Sequence, residues 1–189
     1  MTARVARGMR RLYGLPATSL PLPPELPKRG AGSEKFPAQL AALGYPGYAH
    51  VRPSHQLNPA VVVLAALSED DLDARVTEAL PWVLVRYPEL NWDWLLTHAK
   101  LRNLQNRLGF LVAVARELAE NHPERSDAVK RLREVEKDLD LARLAAETTL
   151  SCESMPPAER AWLRANRPPL AEHWNVLTSL NSRQLNYAA

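Results

Sequence analysis

The stretch NWDWLLTHAKLRNLQNRLGFLVAVARELAE, residues 91–120, decides the fold. It carries two of the five tryptophans, and its middle is a polar patch of Arg, Asn and Gln. Asn91 can cap a helix here, and the apolar residues on either side of the patch fall on one face at helical spacing. We therefore expect a central helix, or two helices with a tight join, against which the rest of the chain packs.

Composition places the chain among ordinary globular proteins. Its 189 residues are 46% hydrophobic and 24% charged, which is enough for one domain with a proper core. The single cysteine, Cys152, excludes an internal disulfide and fits a reducing compartment. Because no apolar run is long enough to cross a bilayer, we expect a cytoplasmic protein with no membrane partner.

An N-terminal arm is set apart by its charge and its prolines. Residues 1–37 hold seven basic and two acidic side chains together with six prolines. We expect a basic, Pro-rich arm or linker there, and a single all-α domain over residues 38–189. Arg7, Arg10 and Arg11 would make phosphate contacts if the arm tethers a nucleic acid; the alternative is a solvated terminus.

Three residues mark further helix boundaries. Asn58, followed by a proline, is a good helix start. Ser68, with Asp71 in the position of a capping box, is expected to open the next helix. Pro81 is expected to start or kink the segment after that.

The pattern after residue 125 predicts a helical hairpin. Ser126 caps a helix expected to run to about residue 148, and the short connection at 121–125 places it antiparallel to the helix over 104–120. Leu132, Val135 and Leu139 form a heptad-like seam along it. In a scaffold protein this seam would be the interface that forms a homodimer.

Two features concern packing of the remaining chain. Gly109 costs about 1 kcal/mol relative to alanine inside a helix, and a close approach by a neighbouring helix would explain it. In the tail, Trp162 and Leu163 are expected to anchor a short helix. The fold class is therefore all-α: a compact multi-helix domain with a long antiparallel helical hairpin.

No catalytic or metal-binding motif stands out. The chain has no glycine-rich phosphate loop, no zinc-binding His–Glu helix and no pair of cysteines. Cys152 stands between Ser151 and Glu153, and an acidic neighbour does not activate a thiol, which argues against a nucleophile. We expect no enzyme, no cofactor and no metal.

The polar patch contains the residue types that contact nucleic acids. Arginine and lysine bind phosphates, and asparagine can read adenine. The candidates are Lys100, Arg102, Asn103, Asn106 and Arg107. The alternative is structural: Asn103 and Asn106 would hydrogen-bond to the backbone at a kink and hold the neighbouring tryptophans in place.

The order of several segments carries a resemblance. A basic N-terminus is followed by LNPAVVVLAAL, ALPWVLVRYPELNWDWLL and LQNRLGFLVAVARELA. This order resembles uncharacterised bacterial regulators of two-gene operons, and RLGFLV is similar to a motif in antitoxins of abortive-infection toxin–antitoxin pairs. The resemblance implies a partner protein that neutralises a toxin or binds DNA, and it transfers no site residues.

These observations predict a non-enzymatic bacterial regulatory protein. It would bind a protein partner, such as a toxin enzyme, with DNA as a second partner, in the manner of an antitoxin. The alternative is a helical scaffold or assembly subunit that oligomerises or supports a partner enzyme without binding nucleic acid.

Overall fold

The computed structural model describes residues 5, 8, 13–24, 33–150 and 152–185, and within them the protein is mainly helical. The helices are α1 (Phe36–Leu43), α2 (Pro59–Leu67), α3 (Ala74–Arg86), α4 (Trp92–Leu101), α5 (Gln105–Glu120), α6 (Ser126–Asp140), α7 (Pro157–Asn166) and α8 (Pro169–His173). Two short strands, β1 (Thr148–Thr149) and β2 (Val176–Leu177), pair in parallel. The predicted all-α class is confirmed.

The central stretch is a pair of helices, as expected. Asn91 caps α4 by accepting a hydrogen bond from the Trp94 amide at 3.0 Å. The turn to α5 requires a left-handed residue, Asn103, whose φ is 57°. The Leu104 amide closes this turn by donating to the Ala99 carbonyl at 2.8 Å. Helix α5 is buried along nearly its whole length and forms the centre of the core.

Helices α5 and α6 form the predicted antiparallel hairpin. Two ion pairs run across it: Arg116 Nε lies 2.6 Å from Glu136, and Arg133 lies 2.8 Å from Glu120. Helix α6 ends at Asp140 rather than near residue 148, so its predicted length is wrong. The chain leaves the helix there and continues to strand β1.

The predicted interface seam lies inside the monomer. Leu132, Val135 and Leu139 are 0%, 2% and 0% exposed, and they belong to the main hydrophobic core. Burial of these apolar side chains within one chain already removes them from water. The interface prediction is therefore wrong for these three residues.

Helix boundaries follow the sequence in part. Asn58 caps α2, because its side chain accepts a hydrogen bond from the Ala60 amide at 3.0 Å. Ser68 does not open α3; its hydroxyl donates back to the last turn of α2, and Asp73 caps α3 instead. Pro81 lies within a continuous α3, so the prediction that it starts a separate segment is wrong.

Part of the predicted N-terminal arm belongs to the core. Ala17 and Leu20 are buried, at 2% and 5% exposure. The side-chain amide of Asn58 donates to the carbonyls of Thr18 and Leu20 at 2.9 and 2.8 Å, which fastens this segment to the start of α2. The predicted boundary at residue 37 therefore does not separate these residues from the domain.

Gly109 allows an aromatic ring to lie directly on α5. A Cβ atom at this position would lie 2.2 Å from Cζ3 of Trp174, a distance that packed atoms do not adopt. Trp174 is fully buried and follows α8. The expected close approach is thus real, and the approaching group is a tryptophan ring at the end of α8.

Gly109→Ala should destabilise the protein. Overpacking costs about 3 kcal/mol, and the better helix propensity of alanine returns only about 1 kcal/mol. We expect a net loss of about 2 kcal/mol, measured by urea denaturation. In the Trp174→Ala background the same change should cost much less; equal costs in both backgrounds would contradict the assignment to this contact.

Candidate functional site

The sequence-predicted patch at the α4–α5 turn divides into an outer and an inner part. We call Lys100, Arg102, Asn103, Asn106 and Arg107 together the polar junction. Lys100 and Asn103 are exposed, and Arg102 is half-buried with Nη1 3.5 Å from the Ser68 hydroxyl. Asn106 and Arg107, in contrast, are 1% and 6% exposed.

Arg107 is a buried cation with partners on several sides. Its Nη1 donates to the carbonyls of Leu67 and Glu69 at 3.1 and 3.2 Å, at the end of α2. Its Nε donates to Thr148 Oγ1 at 3.1 Å, and its Nη2 lies 2.5 Å from Glu153 Oε1. The guanidinium therefore connects α5 to the end of α2, to strand β1 and to the turn before α7.

Asn106 holds the connector between α6 and β1. Its Oδ1 accepts from the Leu144 amide at 2.8 Å, and its Nδ2 donates to the Leu144 carbonyl at 2.9 Å. This pair of bonds gives Leu144 the partners that a longer α6 would have provided. Asn175, which has a φ of 52°, donates to the same carbonyl at 3.0 Å.

These contacts correct the predicted nucleic-acid interface. In this conformation neither Asn106 nor Arg107 can reach a base or a phosphate, because their donors and acceptors are used inside the protein. Lys100, Arg102 and Asn103 keep exposed or half-exposed positions, and Arg7, Arg10 and Arg11 lie outside the described residues. The structural alternative holds for Asn106, although its backbone partner is a distant segment rather than a kink.

Glu153 shares its carboxylate between two arginines. Besides Arg107, it lies 3.3 Å from Arg160 on α7 and accepts from Thr149 Oγ1 at 2.7 Å. Desolvation is the largest influence on the pKa of Glu153 and raises it. The hydrogen bonds from Thr149 and Arg160, with the positive charges of both arginines, outweigh desolvation and hold this pKa below its ordinary value.

Asp71 makes a second link to the same turn. The Ser154 amide and hydroxyl donate to its carboxylate at 3.0 and 2.9 Å. The backbone hydrogen bond from Ser154 is the main cause that lowers the pKa of Asp71. The residues before α7 are therefore fixed from both the α2–α3 loop and α5.

Helix α7 exposes an apolar face that the sequence prediction missed. Leu163 is buried with Met155 and Leu177 in a small cluster beside the main core, whereas Trp162 is 58% exposed. The expectation that both residues anchor the helix is thus wrong for Trp162. The exposed residues Ala158, Ala161, Trp162 and Ala165 fall at positions i, i+3, i+4 and i+7, and we call them the Trp162 face.

Ion pairs fix the other side of α7. Arg164 contacts Glu147 with two hydrogen bonds of 3.0 and 2.5 Å, and Arg167 reaches the same carboxylate at 3.4 Å. Arg160 donates to the Glu153 carbonyl at 2.6 Å. The helix is thus held by its charged side, and the Trp162 face is left to solvent.

Other candidates for chemistry were also located. His173 Nε2 lies 2.8 Å from Asp140 Oδ1, and Arg143, which can only donate, lies 3.2 Å from its Nδ1. The proton therefore resides on Nε2, and the pair joins the end of α6 to the end of α8. Cys152 is half-buried, with its sulfur 3.8 Å from the Ser154 hydroxyl.

The described residues form neither a metal-binding cluster nor a helix suited to span a membrane. No cluster of three His, Cys, Asp or Glu side chains is placed to bind a metal ion. Among the described helices, none has both the length and the apolar composition that crossing a bilayer requires.

Comparisons with known proteins give no family. The chain matches no protein-family model, no curated protein and no solved structure. Its function is therefore argued from its own residues.

Removing the buried cation should destabilise the fold. Arg107→Ala removes one donor to the Glu153 carboxylate and the side-chain donor to two buried carbonyls, which typically costs about 1–3 kcal/mol. Lys100→Ala, an exposed change in the same junction, should stay within about 0.5 kcal/mol. Urea denaturation of both variants measures this; an Arg107→Ala variant as stable as Lys100→Ala would contradict the assigned role.

Acid should weaken the turn before α7. Because the pKa of Glu153 is lower in the folded protein, its contribution to stability is present above the unfolded pKa of about 4.3 and is lost as pH falls through the folded pKa. In urea denaturation between pH 7 and pH 3, Glu153→Gln should lose less stability than wild type. Glu159→Gln, an exposed control on α7, should follow the wild-type profile; a Glu153→Gln profile parallel to wild type would overturn this.

Proposed function

We propose that this is a non-enzymatic regulatory protein of the cytoplasm that acts by binding a partner protein through the Trp162 face. The exposure of Trp162 on an otherwise well-anchored helix carries the proposal. Tryptophan is the residue type most enriched among those that dominate binding energy at protein interfaces. An indole exposed to water, on a helix whose opposite side is bound to the rest of the protein, is suited to anchor a partner protein.

The spacing of the face indicates the type of partner. Amphipathic helices that bind in an apolar groove use anchors at i, i+3, i+4 and i+7, which is the pattern of the Trp162 face. The three alanines have short side chains, so the indole ring projects beyond them and the helix can approach a partner closely. The partner would accordingly present an apolar groove with a pocket deep enough for one indole.

The proposed function retains the expected binding of a partner protein and leaves out the expected binding of DNA. Neutralising a toxin by covering its surface requires only protein binding, and α7 supplies an element for it. Nucleic-acid binding is not included, because the two innermost residues of the polar junction bond within the protein. Self-association through the α6 seam is not included either, because that seam is buried.

Trp162→Ala should strongly weaken partner binding without unfolding the protein. Loss of a tryptophan anchor costs about 2 kcal/mol or more of binding free energy, which raises the dissociation constant about thirtyfold. Tagged wild type, Trp162→Ala and Leu141→Ala would be compared by quantitative affinity purification from source cells. Leu141 is 89% exposed and lies outside the Trp162 face, so its variant is a matched control.

The expected result is one protein retained by wild type and Leu141→Ala and lost by Trp162→Ala. Retention of the same protein by all three variants, or of none, would refute the proposal. A dimer of wild type in light scattering that dissociates in Trp162→Ala would instead support the alternative of a self-associating scaffold. Nucleic acid that copurifies equally with wild type and with Trp162→Ala would indicate that the activity lies outside the Trp162 face.

A further inference from the structure

We propose that the groove between α5, α8 and residues 179–183 binds a small zwitterion with an aliphatic body. The groove has a volume of about 600 Å³, within the range of about 300–1,000 Å³ typical of ligand pockets. It shares no residue with the Trp162 face and does not depend on the function proposed above. Its lining includes one carboxylate, one guanidinium and several apolar side chains.

The carboxylate belongs to Glu117 on α5. Phe110, Val114 and Glu117 are spaced at i, i+4 and i+7, so the acidic group continues a stripe of two buried apolar residues. Its neighbour in sequence, Arg116, does not neutralise it. The guanidinium of Arg116 is used on the other side of α5 by Glu136 and Glu120.

Within the described part of the chain, Glu117 has one neutral hydrogen-bond donor. The Ser182 hydroxyl donates to its Oε2 at 2.7 Å, and among the described residues no cation lies within ion-pair distance of it. Glu117 is also half-buried, so water solvates it less than an exposed carboxylate. An ammonium group entering the groove would give this carboxylate the charged donor that it lacks.

The guanidinium belongs to Arg183 at the edge of the same groove. A capping box fixes its backbone: the Asn181 side chain accepts from the Arg183 amide at 3.1 Å. Because Ser182 bonds to Glu117, the backbone of the adjacent Arg183 is held beside the groove. Arg183 is exposed and, within the described part of the chain, forms no ion pair with a carboxylate.

The apolar lining residues select the body of the ligand. Leu170 on α8 and Leu180 face the groove together with Pro168 and Pro169. A chain of methylene groups is the body that such a lining favours over water. The ligand class is therefore an amino acid with a short aliphatic body, its ammonium toward Glu117 and its carboxylate toward Arg183.

Three probes of equal length test this assignment: 5-aminopentanoate, pentylammonium and pentanoate. Binding at pH 7 is followed by NMR titration of the signals of Phe110 and Val114 in the full chain. The expected order of affinity is zwitterion, then ammonium, then carboxylate. The exposed ion pair with Arg183 should make 5-aminopentanoate bind about threefold to fivefold more tightly than pentylammonium.

Two variants assign the charges. Glu117→Gln keeps an acceptor for Ser182 but removes the charge, and should weaken 5-aminopentanoate about tenfold. Arg183→Gln should remove the advantage of the zwitterion over pentylammonium. Glu134→Gln, an exposed carboxylate on α6, is the control and should change nothing.

Several results would overturn the proposal. One is the absence of any shift at Phe110 and Val114 up to about 50 mM probe, well above the millimolar dissociation constants of weak ligands. Another is equal binding of the three probes, which would indicate apolar contact alone. A third is a Glu117→Gln variant that binds 5-aminopentanoate like wild type and like Glu134→Gln.

Discussion

The buried guanidinium of Arg107 is the constraint on which the rest of the structure depends. A charge removed from water is tolerated only when hydrogen-bonding partners replace the solvent. Arg107 finds these partners in the end of α2, in strand β1 and in Glu153. Three segments far apart in the sequence must therefore meet at α5, and the path of the chain after α6 follows from this requirement.

The sequence predicted the parts of the fold that depend on local pattern. The hairpin of α5 and α6 follows from apolar periodicity, and the caps at Asn58 and Asn91 follow from the hydrogen bonds that one side chain can make to the next turn. The end of α6 could not be predicted in this way. It is set by Asn106, whose partner Leu144 lies 38 residues further along the chain.

Two predicted nucleic-acid contacts, Asn106 and Arg107, lie inside the protein, because residue type alone does not decide between outside and inside. Arginine and asparagine serve equally well on a nucleic-acid surface and in an internal hydrogen-bond network, and one sequence does not distinguish the two environments. For α7 the signal was present. Ala158, Ala161, Trp162 and Ala165 form a stripe at helical spacing in the sequence, although a tryptophan is more often an anchor of the core.

Glu153 joins the core, at Arg107, to helix α7. It accepts from Arg107 in the core and from Arg160 on α7, so the buried charge and the helix share one carboxylate. The residues that hold α7 are Arg160, Leu163 and Arg164, and they occupy one side of the helix. The Trp162 face is what remains on the opposite side. The interaction that fixes the core therefore also determines which side of α7 is left to meet a partner.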